Sequence, residues 1–310
     1  MRVLIPGGAG YIGSVLTGHL LNLGHQVTVL DNLYFQQKSL FGYASNPNFD
    51  FVYGDTRDRA TLEPLMAKND VIIHLAAVVG MPACKKDPEY SQSLNYGSAK
   101  LVADLASKDQ RIIYPCTNSG YGTQSGDLHC DENTPLAPIS LYGTSKAEGE
   151  KAILDSGKGM AFRLATVFGA SPRMRIDLLV NDFTHKAYSQ GAIVIYEGHF
   201  MRNFVSIQDV ARAMIFAMDN FESMRGEVYN LGLDSANMSK IDLCNKVKEH
   251  VPHFYFTEAT VGSDPDKRNY IVSNEKLRQA GFEASQTIDD GIRELLKVYK
   301  MFGRNEYGNV

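Results

Sequence analysis

Cysteine is scarce and scattered. The chain of 310 residues holds four, Cys84, Cys116, Cys130 and Cys244, and no two form a C-x-x-C pair. That spacing suggests neither a zinc site nor a disulfide framework, so reduced thiols are the expectation. No metal is expected either. His129, Cys130, Asp131 and Glu132 form a local run without a distant partner and read as a polar loop. Charge of one sign is also missing. The 31 basic and 35 acidic residues are mixed along the chain, and no basic block occurs. Nucleic acid is therefore not an expected partner. No apolar run approaches the roughly 18–20 residues of a membrane span. The N-terminus lacks the basic, apolar and small-residue regions of a secretion signal. A cytoplasmic protein with no membrane partner is the expectation. Tandem repeats and low-complexity tracts are absent.

What is present is a regular alternation. Hydrophobic residues make up 44% of the chain, enough for a sizeable core. Apolar runs at 2–5, 26–30, 49–53, 70–75, 111–114 and 160–164 read as strands. Helical spacing falls between them, at 11–23, 62–68, 88–107 and 141–154. Strands alternating with helices over the first 165 residues predict an α/β fold with a doubly wound parallel sheet. Beyond Phe168 the pattern loosens. Helices are expected at 178–190, 209–220, 240–249 and Asp289–Phe302, with short strands at 193–196, 204–206 and 228–231. This part reads as a smaller C-terminal α/β substrate lobe.

The first run leads into GGAGYIG, with Gly7, Gly10 and Gly13 spaced G-x-x-G-x-x-G. The first glycine permits a tight turn, the second clears space for a phosphate, and the third lets the helix pack closely. The helix N-terminus offers unpaired N–H groups to a pyrophosphate. Asp31 ends the second strand, where a carboxylate accepts from ribose hydroxyls and repels a 2′-phosphate. It is followed by Asn32 rather than arginine, which favours NAD over NADP. The expected organisation is therefore a Rossmann-type NAD-binding domain over 1–165, with a return segment near 204–231, and a substrate lobe over 166–310.

A second pattern is Tyr142-Gly-Thr-Ser-Lys146. On a helix, residues four apart share a face. A cation beside a phenol stabilises the phenolate, lowering the tyrosine pKa toward working pH. The expected product is a base that takes a proton from an alcohol while a nicotinamide takes the hydride.

Together, GGAGYIG, Asp31-Asn32, Gly54-Asp55, His74-Leu-Ala-Ala77, Asn95, YPCTNSGYG, YGTSK and RNFVSIQDVA resemble the extended short-chain dehydrogenase/reductase family, in its nucleotide-sugar epimerase/dehydratase branch. The likeness spans nearly the whole chain. It implies Tyr142 as general base, Lys146 as its partner and nicotinamide-ribose ligand, and Thr117 as the group that orients the sugar hydroxyl. It further implies cofactor contacts from Tyr11, Ile12, Asp55, Thr56, Leu75, Ala76, Ala77 and Asn95. On the substrate side it implies phosphate contacts from Asn181, Arg202 and Arg268. Val79, Gly80, Asn118, Ser119 and Arg173–Arg175 are the sugar-pocket candidates. His74 is expected to be a packed core residue and Cys116 a small buried filler. The helices near 88–107 and 141–156 are the expected homodimer surface.

Two departures matter. Pro6 stands where relatives carry Thr and removes one backbone donor. Asn118 and Ser119 replace the carboxyls with which dehydratases eliminate water, so 4,6-dehydration is discounted. Reversible oxidation at a ring alcohol, expected at C4, is what remains. Two outcomes stay open: net oxidation or reduction, or 4-epimerisation through a transient ketone. The sequence reading leans to a 4-dehydrogenase/reductase. The apolar VVGMPACKK stretch points to a modified or bulky sugar, with relatives acting on GDP-heptoses as models. A non-catalytic NAD-binding sensor is a lesser alternative, since Tyr142, Lys146 and Thr117 are all present.

Overall fold

A computed structural model describes residues 1–122, 129–262 and 268–301. Seven parallel strands form the main sheet: β1 Arg2–Pro6, β2 Gln26–Asp31, β3 Phe49–Tyr53, β4 Val71–Ile73, β5 Arg111–Thr117, β6 Gly159–Leu164 and β7 Val228–Leu231. Their spatial order is 3-2-1-4-5-6-7. Successive side chains on a strand point to opposite faces. Val3, Ile5, Val27, Val29 and Ile73 accordingly join one core, under the Tyr11–Asn22 and Ile207–Asp219 helices. Leu4, Leu30, Ile72 and Ile112 join the other, under the Ser98–Leu105 and Leu141–Asp155 helices. Burial on both faces is why these strands read as near-continuous apolar runs. The order reverses between β1 and β4, and the crevice at that switch point is where such sheets bind ligands.

Several boundaries differ from the sequence reading. The helix expected from 62 begins at Arg59, because the Asp58 carboxylate accepts from Ala60 N and caps it. The helix expected over 88–107 is three pieces, Pro88–Gln92, a π-helical turn Ser93–Gly97, and Ser98–Leu105. β5 runs on to Thr117 and carries it to the crevice. A helix at Met81–Lys86 was not expected. The last helix is Ile288–Tyr299, and Phe302 lies outside the described residues.

Val228–Leu231 pairs with β6 and closes one edge of the sheet. Phe204–Ser206 pairs with Thr166–Phe168 in parallel. The helices Leu179–Ser189, Lys240–His250 and Ile288–Tyr299 bury Phe183, Leu243, Val247, Ile292 and Leu295 in a separate core. His129–Cys130 is a short strand beside Ile271–Val272. Glu132 accepts from Asn230 N, and Asp131 caps the turn at Asn133 and Thr134, so this run braces a loop. No cluster of three metal-ligating side chains occurs among the described residues. No described helix is long and apolar enough to cross a membrane.

Candidate active site

A cavity of about 690 Å³ opens at the switch point. One half is built by the glycine turn. Gly7 has φ +81°, and a Cβ there would fall 2.4 Å from Ala76 N. Only glycine permits this approach of β1 to the backbone after β4. Gly10, Tyr11, Ile12 and Gly13 line the cavity at the start of the Tyr11–Asn22 helix. That first turn carries no acidic residue and no side-chain cap, so nothing on the helix itself offsets its N-terminal dipole. Pro6 is accommodated at the end of β1, where its carbonyl still accepts from Leu75 N at 2.8 Å.

Asp31 is buried at the rim. Its carboxylate accepts from Ala9 N at 3.0 Å and from Leu33 N at 2.8 Å, locking the glycine turn to the loop after β2. Burial raises its pKa, and the two backbone bonds oppose the rise. Four lone-pair sites leave room for further donors. Asn32 and Asp55 also line the cavity, with Asp55 paired to Arg57 at 2.6 Å. Thr56 is 5% exposed and its hydroxyl has no partner. A buried hydroxyl left open in a cavity wall is a ready ligand contact.

The other half is built by β5 and the Leu141–Asp155 helix. Ser140 caps that helix, its hydroxyl accepting from Gly143 N. Gly149 sets the helix against β5, since a Cβ would fall 2.4 Å from the Tyr114 hydroxyl. Tyr142, Lys146, Thr117 and Ser119 all reach the cavity. The Thr117 and Ser119 hydroxyls are 3.0 Å apart, and Thr117 Oγ1 accepts from Ser119 N. Arg268 donates to Ser119 Oγ from the other side. The sugar-pocket candidates Val79, Gly80 and Arg175 also line the space, as do Arg173 and Arg202.

The electrostatics correct one expectation. Desolvation pushes the Tyr142 phenol up to about 12, not down, with the Cys116 thiol adding to the rise. The groups that work against it are Arg175, a hydrogen bond with Thr117, and Arg268. Lys146 is not among them. Its ammonium sits 4.0 Å from the centroid of the Tyr114 ring, and burial lowers it to about 8. Spacing alone predicts a shared face, not the dielectric that face meets. Cys116 is buried with its thiol pushed well up, so it is a filler and not a nucleophile. His74 is fully buried, 2.8 Å from Ser98 Oγ through Nε2. Its Nδ1 has no partner, and burial with the nearby Lys146 charge pushes the ring down to about 3.

Three candidates do not line the cavity. Asn95 is turned inward from the π-helical turn, where its carboxamide clasps Val78 N and O and reaches Ser145 Oγ. It shapes the wall after β4. Asn181 is fully buried: it accepts from Gly169 N and donates to Arg175 O, which fixes the loop bearing the arginines. Asn118 is 1% exposed and both of its amide atoms lack partners.

Residues 3–232 match the model of the NAD dependent epimerase/dehydratase family. The chain belongs to that family. It is an NAD-dependent enzyme family, and the glycine turn, the open helix N-terminus, Asp31 and the open Thr56 hydroxyl fit that cofactor. Low-salt glycan biosynthesis protein Agl12 of Haloferax volcanii is 29% identical, covering 96% of this chain and 98% of its own. UDP-glucose 4-epimerase of Lactobacillus helveticus is 28% identical, covering 97% of both. The fold matches that of UDP-glucuronic acid 4-epimerase from Bacillus cereus with a TM-score of 0.85, at 23% identity over 97% of this chain and 99% of that one.

Some cavity residues escaped the sequence reading. Phe35 meets the Arg173 guanidinium at 4.8 Å, and Tyr34 stacks on Tyr90 at 5.9 Å, so the loop after β2 forms part of the cavity wall. Their only signal was two aromatics placed just past Asp31. Lys240, 3% exposed, donates to Tyr196 O and lines the cavity. As the first residue of an amphipathic helix it reads in sequence as a solvated charge.

Proposed function

We propose that the protein is a nucleotide-sugar 4-epimerase using NAD. The observation that carries this is the wall around Tyr142. Among the described residues it holds a base, an orienting hydroxyl and cations, but no spare carboxyl. The described carboxylates lining the cavity are Asp31, Asp55, Asp87 and Asp177. Asp31 locks the glycine turn, Asp55 holds Arg57, Asp87 caps a helix at Tyr90 N, and Asp177 holds Arg175. Asn118 and Ser119 supply no acid for eliminating water.

Bound NAD supplies a hydride acceptor that can return the hydride. The rest is done by the chain. Thr117 orients the C4 hydroxyl and Tyr142 removes its proton. Arg175, Arg202, Lys240 and Arg268 present charge to the phosphates, for which an arginine fork is suited. Once the 4-ketone turns over in the cavity and presents its other face, Tyr142 returns the proton to the C4 oxygen. The Phe35–Arg173 contact in the cavity wall suits a cofactor that stays bound through both half-reactions. The relative named as a 4-epimerase over 97% of both chains supports this reading.

Net oxidation or reduction at C4 is the second reading. It uses Thr117 and Tyr142 in the same way and differs in releasing the ketone and exchanging the cofactor. Purified protein incubated with UDP- and GDP-sugars, followed by NMR and mass analysis, separates the two. The epimerase reading expects an isobaric C4 epimer and no net NADH. A 4-keto product with stoichiometric NADH, or loss of water or carbon dioxide, overturns it. The helical faces 88–105 and 141–155 are the proposed pairing surface of a homodimer, to be read by light scattering.

A further inference from the structure

Arg268 does not stand apart as a phosphate clamp. It donates to Ser119 Oγ and, at 3.4 Å, to the buried Tyr270 hydroxyl. Ser119 is 4% exposed and Thr117 7% exposed, so this chain of polar groups meets water only through the cavity. A guanidinium can only donate, so Ser119 Oγ must accept from it. Thr117 Oγ1 already accepts from Ser119 N. An adjustable element in this chain is the pair of hydroxyl protons between Thr117 and Ser119. Thr117 donates toward Ser119 while Tyr142 is a neutral phenol. When Tyr142 ionises, the pair can reverse, Ser119 donating to Thr117 and Thr117 to the phenolate. A guanidinium behind Ser119 polarises its hydroxyl and favours the reversed state.

We propose that Arg268, acting through Ser119, turns the Thr117 hydroxyl proton toward Tyr142, making Arg268 and Ser119 positioning residues for the base. This rests on the proposed function only in taking Tyr142 as the base. The chain puts a positive charge at a stretch where a carboxyl would oppose ionisation. It also gives Ser119 a purpose that its lack of a carboxyl leaves unexplained. Other groups acting on Tyr142 are Cys116 and Tyr114 on β5 and Arg175 on the loop after Phe168, while Lys146 on its own helix sits over the Tyr114 ring. None of these is altered by a change at Ser119, so Ser119 isolates the relay.

The test compares NAD-loaded wild type with Ser119→Ala, Ser119→Thr and Arg268→Gln. Phenolate absorbance is titrated against a Tyr142→Phe baseline, with no sugar present, and the pH profile of kcat is measured with a turned-over nucleotide sugar. Losing one charge-assisted bond predicts a Tyr142 titration about one unit higher in Ser119→Ala. Ser119→Thr restores it, Arg268→Gln moves it at least as far, and the acid limb of kcat moves with it. Should Ser119→Ala fail to fold, Arg268→Gln reads the same chain from the cavity side. An unmoved titration in Ser119→Ala, or an Arg268→Gln variant that raises KM alone, overturns the proposal. Because the absorbance arm needs no sugar, a wrong substrate assignment leaves this result readable.

Discussion

The Lys146 ammonium lies 4.0 Å from the centroid of the Tyr114 ring, inside the protein and over an aromatic face. A cation–π contact offsets part of the cost of burying that charge. It does not offset all of it, since the pKa falls from the ordinary 10.5 to about 8. Lys146 is held in place against its own solvation preference, as a residue kept for chemistry would be.

That strain has a sign. Between about pH 8 and 10.5 the unfolded chain binds the Lys146 proton and the folded chain does not, so stability gained from this group rises with pH. Below pH 8 the buried charge is a standing cost. Lys146→Met is expected to stabilise the protein at pH 7 by on the order of 2 kcal/mol, with the gain fading toward pH 10. Urea unfolding at both pH values checks it. The same variant is expected to lose turnover.

Tyr142→Phe removes the proton acceptor and nothing else of size. Turnover is expected to fall by about 10²–10⁴-fold. NAD binding, followed by fluorescence or calorimetry, is expected to stay near wild type, because the glycine turn and Asp31 lie elsewhere in the cavity.

His74 is neutral when folded, and its ring is pushed down to about 3. The unfolded histidine takes a proton below about pH 6.5, so stability contributed by this group falls as pH drops from there toward 3. His74→Asn is expected to flatten the acid side of the melting-temperature profile between pH 6.5 and 4. The comparison is with wild type at pH 8, where His74 is uncharged whether folded or unfolded.

The buried Arg163–Glu150 pair, 2.7 Å apart with side chains 8% and 5% exposed, ties β6 to the helix that carries Tyr142. Arg163 also donates to the Tyr121 hydroxyl and to Glu132 O. Glu150→Ala strands that guanidinium and is expected to cost about 3–5 kcal/mol, read from denaturant midpoints.

How far the sequence led depends on the kind of information. The central strands were readable because burial on both faces leaves unbroken apolar runs, as in Val71–Ile73. The glycine turn was readable because backbone contacts at 2.4 Å admit one residue type. The two-residue strands His129–Cys130 and Ile271–Val272 were not, since each is defined by a partner far away in the chain. Asn181 and Asn95 carry motif identity, yet their amides serve the protein's own backbone, which spacing cannot reveal. The direction of the Tyr142 shift was missed because desolvation sets it, with the Cys116 thiol adding to the rise, and spacing within one helix shows neither.

The reading of the whole site comes down to whether hydride leaves and returns on one sugar. Incubation of the protein with a C4-deuterated nucleotide sugar, read by NMR, tests this most directly. The account predicts a C4 epimer that keeps its deuterium, with no net NADH released. A ketone accumulating while deuterium appears in free NADH would contradict it.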